Sequence, residues 1–182
     1  MALLDTPICD FDRPAPAFSL MTPTGETVTL SSAMGPKGLL VAFLCNHCPY
    51  VQAIADRLSE DTAALKAIGV NTVAIMSNDI EAVPMDGPDH MATFAAQHGW
   101  DFPYLFDPDQ SVGQAYGAVC TPDFFGYNAQ AKLQYRGRLD DAGIGNPANR
   151  NRELVAAMTQ IAETGRGPSQ QTPSMGCSIK WR

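Results

Sequence analysis

The chain has 182 residues with 12 basic and 19 acidic side chains, a net charge of −7, and no Lys/Arg-rich run to gather phosphates, which counts against nucleic acid or an anionic membrane as partner. With 45% hydrophobic and 17% charged residues it can bury enough apolar surface to offset its ordering entropy, so a disordered chain is excluded. Its longest strongly apolar stretch, residues 38–45, falls far short of the roughly 20 residues that span a bilayer, and Met-Ala-Leu-Leu-Asp-Thr-Pro is no signal peptide; the expected location is cytoplasmic.

Residues 1–38 are rich in Pro, Thr, Ser and Gly, with short runs at Phe18–Met21 and Thr27–Leu30 around Pro23-Thr24-Gly25, which predicts an N-terminal β-hairpin extension. Leu39 to Leu44 is continuously apolar, the pattern of a strand buried on both faces. From Pro49 onward Val51, Ile54, Leu58, Leu65 and Ile68 share one helical face, with Gly69 as the stop. Val70 to Met76 predicts a second buried strand, followed by a Pro-, Gly- and Asp-rich loop through residue 89 and a helix over 90–98. Phe102–Phe106 reads as a strand and Ser111–Ala118 as a helix. Phe124–Tyr127 with Leu133–Tyr135 reads as a hairpin, and Asn151–Glu163 as a closing helix with Leu154, Val155, Met158 and Ile161 inward. The tail, 166–182, is expected to be irregular. Together these elements predict one α/β domain over 1–182, with its core at 39–165 and helices on both faces of a central mixed sheet.

Five cysteines, an odd number, do not make a disulfide scaffold, so each is assigned to metal binding, catalysis or burial. The informative pair is Cys45-Asn46-His47-Cys48, at the junction of strand and helix. Two thiols three positions apart at a helix start share a turn and are close enough to form a disulfide. Cys45 is the expected nucleophile, since unpaired amides and the helix dipole stabilise a thiolate there. His47 is the expected thiol-tuning residue, adding positive charge or exchanging a proton. A zinc half-site is the alternative, but a structural zinc takes four ligands, whereas no second pair exists, His90 and His98 are eight apart, and Cys9, Cys120 and Cys177 are scattered. A redox dithiol with no metal and no cofactor is therefore favoured. Gly143-Ile144-Gly145-Asn146-Pro147-Ala148 fits a dinucleotide-binding pattern, but Glu163 at the ribose-binding distance would lie within a helix, so these glycines are assigned to a turn.

The chain resembles the thioredoxin superfamily, in its peroxiredoxin-like branch of alkyl hydroperoxide reductase/thiol-specific antioxidant proteins. The resemblance is carried by Pro16–Leu20 with the Gly25 turn, Phe43-Leu44-Cys45-Asn46-His47-Cys48-Pro49-Tyr50-Val51, Cys120-Thr121-Pro122-Asp123-Phe124-Phe125, and Gly176-Cys177-Ser178-Ile179-Lys180-Trp181. It implies a thioredoxin-like fold and a cis peptide at Thr121-Pro122 shaping a substrate groove against the redox pair. Counting back from Cys48, the Pro and Thr/Ser of the peroxiredoxin pattern are replaced by Val41 and Cys45, and the peroxide-orienting Arg falls at about Pro122. The resemblance thus favours a thiol-disulfide oxidoreductase. A thiol peroxidase acting on hydroperoxides stands second, and a metal- or redox-sensing module using Cys45, His47 and Cys48 third. Both enzymatic readings imply a disulfide or peroxide substrate and an external thiol reductant. Cys120 and Cys177 are candidates for a secondary redox role, weighed against simple burial.

Overall fold

The computed structural model describes residues 2–182. In chain order the elements are β1 (Leu3–Asp5), β2 (Ser19–Met21), β3 (Thr27–Thr29), α1 (Leu30–Ala33), β4 (Gly38–Phe43), α2 (Pro49–Ala67), β5 (Val70–Met76), α3 (Pro88–Gln97), β6 (Tyr104–Phe106), α4 (Ser111–Tyr116), β7 (Cys120–Thr121), β8 (Asp123–Asn128), β9 (Leu133–Tyr135), α5 (Glu153–Thr164) and β10 (Met175–Ser178). A single 3₁₀ turn lies at Pro84–Asp86.

Seven strands form the central sheet in the order β3-β2-β6-β5-β4-β8-β9. The strand β4 sits at its middle, parallel to β5 and antiparallel to β8. Its apolar run explains that position. Leu40 and Ala42, with Leu44 just beyond the strand, pack on one face with α2, α3 and α5, while Leu39, Val41 and Phe43 pack on the other with the β2–β3 hairpin and α4. Each such side chain contributes roughly 1.5–3 kcal/mol when fully buried, so a strand apolar on both faces is most stable where both faces are covered.

Helix boundaries follow local chemistry. The helix α3 starts at Pro88 rather than His90, proline being well suited to a first turn that needs no N–H. The helix α4 stops at Tyr116, where Gly117 takes φ 70°, and Gly165 closes α5 with φ 76°. Residues 143–148 form irregular turns. No helix among the described residues is long and apolar enough to cross a membrane.

The tail departs from expectation. Met175–Ser178 is a strand that pairs with β7 on one side and β1 on the other, making a second sheet in the order β1-β10-β7. Its short sequence, Met-Gly-Cys-Ser, has no alternation to betray it. It forms because two strand edges offer backbone partners and because Gly176 lets the chains approach: a Cβ there would collide with the Thr121 carbonyl.

Candidate active site

The carboxyl end of β4 delivers Cys45, residues 46–47 bend, and Cys48 is the N-cap of the 19-residue helix α2, with Pro49 at its first position. Both cysteines are fully buried. Across from them the Thr121–Pro122 peptide is cis. Thr121 reaches both sulfurs: its Oγ1 lies 3.1 Å from Cys45 Sγ, and its carbonyl oxygen 3.3 Å from Cys48 Sγ. Beside Pro122 opens a cavity of about 340 Å³ lined by Tyr50, Ile54, Phe124, Leu139 and Met175, with Arg138 and Asp140 at its polar side.

The bend is held from across the site by Asp86, a buried residue in the 3₁₀ turn. Its Oδ1 accepts the backbone N–H groups of Asn46 (2.8 Å) and His47 (3.2 Å); its Oδ2 accepts Asn78 Nδ2 (2.8 Å) and pairs with His47 Nδ1 (2.7 Å). Tyr104 donates its hydroxyl to Asn46 Oδ1, and Gln52 Nε2 donates to the Asn46 carbonyl. These residues fix the geometry of the pair, and their sequence positions carried no hint of it. A lone Asp in a loop forty residues from the cysteine pair gives no one-dimensional signal.

This arrangement bears on the expected electrostatics. The amides of residues 46 and 47 serve Asp86, so they are not available to a Cys45 thiolate, and the helix dipole begins one bend later. The hydrogen bond shared with Cys48, then burial and the Asp86 carboxylate, hold the Cys45 thiol well above its ordinary value. Cys48 moves the other way. Hydrogen bonds from the Cys45 and Cys177 thiols and from the Val51 N–H favour its thiolate and outweigh burial. The two shifts run in opposite directions, up for Cys45 and down for Cys48.

The remaining expected site residues are distributed unevenly. His47 lies beside the pair, but its ring nitrogen is committed to Asp86. Cys45 Sγ, a His47 ring nitrogen and an Asp86 oxygen all fall within 4.8 Å of one another, the one grouping among the described residues with a metal-like donor set. It offers three ligands where structural zinc takes four, and both oxygens of Asp86 already carry two partners. Cys177 is brought to the pair, with its Sγ 2.8 Å from Cys48 Sγ. Cys120 is not: its buried sulfur faces the Pro122 carbonyl at 3.7 Å, and burial pushes its thiol up. Cys9 lies outside the site, partly buried against the opposite face of the sheet.

Comparison with known proteins agrees with this architecture. A crystal structure of an uncharacterized conserved protein from Geobacillus kaustophilus superposes with a TM-score of 0.94 at 37% identity, covering 100% of this chain and 97% of that one. A secreted disulfide oxidoreductase of Mycobacterium tuberculosis, described as homologous to Escherichia coli DsbE, shares the thioredoxin-like fold at TM-score 0.55 and 24% identity, over 64% of this chain and 80% of its own. A candidate peroxiredoxin of Mycobacterium tuberculosis strain H37Rv is 26% identical over 83% of this chain and 85% of its own length. The AhpC/TSA family model matches residues 11–138, spanning the hairpin, the cysteine pair and the cis-proline loop. On that match the chain belongs to the AhpC/TSA family, with a thioredoxin-like, peroxiredoxin-like architecture.

Proposed function

We propose that this protein is a thiol-disulfide oxidoreductase whose working group is the Cys45/Cys48 dithiol. The Cys48 thiolate attacks a substrate disulfide and forms a mixed disulfide; the reduced product is released, the protein ends with a Cys45–Cys48 bond, and an external thiol reductant restores the dithiol. The observation that carries this reading is the juxtaposition of two buried thiols with Thr121, whose hydroxyl and carbonyl each face one sulfur. The cavity beside Pro122 is the proposed substrate groove, its apolar lining suited to a peptide segment carrying the target disulfide.

A thiol peroxidase is the second reading, favoured by the position of Cys48 as N-cap of α2 and by the relative of peroxiredoxin type. Against it, the hydrogen-bonding neighbours of the two sulfurs are thiols, a threonine and backbone amides rather than a guanidinium, and Arg136 and Arg138 are committed to Asp123 and Glu153. Stopped-flow mixing of the reduced protein with a protein disulfide and, separately, with hydrogen peroxide separates the two. The disulfide should react faster; a peroxide reaction faster by orders of magnitude would replace the first reading with the second.

A further inference from the structure

The C-terminal segment is pinned on both sides of Cys177. Upstream, the Ser174 N–H donates to Thr6 Oγ1 (3.0 Å) and Ser174 Oγ donates to the Pro122 carbonyl (2.8 Å). Downstream, the Lys180 N–H donates to Asn78 Oδ1 (2.8 Å), the Lys180 carbonyl accepts the Asp79 N–H and Gln110 Nε2 (both 2.8 Å), and the Arg182 N–H donates to Gln110 Oε1 (2.9 Å). Between these anchors Cys177 pairs in register with Leu3 and Thr121. Its sulfur is thereby fixed against Cys48 at 2.8 Å, and a movement of under about 1 Å would bring the two to covalent distance.

Granting the dithiol reading, we propose that Cys177 is a third redox-active thiol, which displaces product from Cys48, closes a Cys48–Cys177 disulfide that latches β10 across the site, and then yields Cys48 to Cys45. In the first step the Cys48 thiolate attacks one substrate sulfur; that disulfide breaks, and the departing thiolate takes a proton from water. Cys177 then releases its proton to solvent, attacks Cys48 Sγ, forms Cys48–Cys177 and expels the second substrate thiolate, which is protonated in turn. Finally Cys45, losing its own proton, attacks Cys48 Sγ; Cys45–Cys48 forms and Cys177 leaves as a thiol. Two electrons pass from the protein to the substrate, and a dithiol reductant resupplies them.

Local electrostatics fit this order. Burial and the adjoining Cys48 charge hold the Cys177 thiol up while the protein is reduced, and Lys180 pulls it down. Once Cys48 is consumed in a mixed disulfide its charge is gone, leaving Lys180 to assist Cys177, whereas Cys45 still faces the Asp86 carboxylate.

The relay is tested with oxidised glutathione as the probe and non-reducing peptide mapping as the readout. Cys45→Ser treated with one equivalent should give a Cys48–Cys177 disulfide and two reduced glutathiones. Cys45→Ser/Cys177→Ser, whose new hydroxyl still donates a hydrogen bond, should instead hold glutathione on Cys48, with release slowed at least about a hundredfold by loss of the tethered thiol. In the unaltered protein, acid quenching should catch Cys48–Cys177 before Cys45–Cys48. If Cys45→Ser retains glutathione on Cys48 while Cys177 stays free, and Cys177→Ser still closes Cys45–Cys48, the relay is overturned and the dithiol reading stands. If neither Cys177→Ser nor the unaltered protein forms a Cys45–Cys48 bond, the dithiol reading falls with it.

Discussion

The two sheets of this molecule are held together by different forces. In the central sheet every residue of β4, β8 and β9 is buried, and burial of Leu, Val and Phe on two faces supplies the stability. In the small sheet β1 is exposed along its whole length, and Leu3, Leu4 and Met175 point to solvent, so backbone pairing and a handful of side-chain anchors hold it. The helix α2 and the Cys45–Cys48 bend rest on the first; Cys177 comes from the second. A scaffold stabilised by burial keeps the cysteine pair in place, while a segment held mainly by hydrogen bonds can open at a lower free-energy cost.

The sharpest break of that contrast is Phe43→Ala. Phe43 is fully buried and packs edge-on against Phe125 at 5.7 Å and tilted against Tyr116 at 5.5 Å. Its truncation should cost about 3–5 kcal/mol in urea unfolding. Asp86→Asn comes next, at about 1–3 kcal/mol, because an amide placed among four donors leaves some of them unmatched. The same change removes the charge that raises Cys45, so in a Cys48→Ser background Cys45 should titrate at lower pH, read by thiolate ultraviolet absorbance.

Gly176→Ala probes the small sheet alone. The added methyl meets the Thr121 carbonyl, and a strain of about 1–3 kcal/mol should be relieved by detaching β10. Amide exchange should quicken across Met175–Ser178 and stay unchanged in β4 and α2; a uniform loss of protection would show that the two sheets unfold as one unit. The smallest expected effect is that of Cys177→Ala on Cys48. Losing one donor to the thiolate should raise the Cys48 titration midpoint, with less thiolate at mildly acidic pH, whereas Cys177→Ser should recover part of the difference.

The same contrast explains what could be read from the sequence. Continuous apolar runs at β4 and β5, the helical face of α2, and the Cys45–Cys48 spacing are local patterns set by burial and by the reach of one helical turn, so the core and the pair were legible. Asp86 and the strand β10 were not. A carboxylate that organises a bend forty positions away, and a four-residue strand that forms where two edges receive it, depend on contacts made only after the chain has folded. The proposed thiolate differs from the expected one for a related reason: spacing shows that two sulfurs share a helix start, but which one is the N-cap depends on where the bend ends.

The identity of the attacking sulfur is tested most directly by trapping. Cys45→Ser/Cys177→Ser and Cys48→Ser, each reduced and mixed with a disulfide-bearing protein, are compared by intact mass and peptide mapping. The expected result is a stable mixed disulfide through Cys48 in the first and none in the second; a mixed disulfide through Cys45 in Cys48→Ser, with none on Cys48 in the other variant, would contradict the assignment.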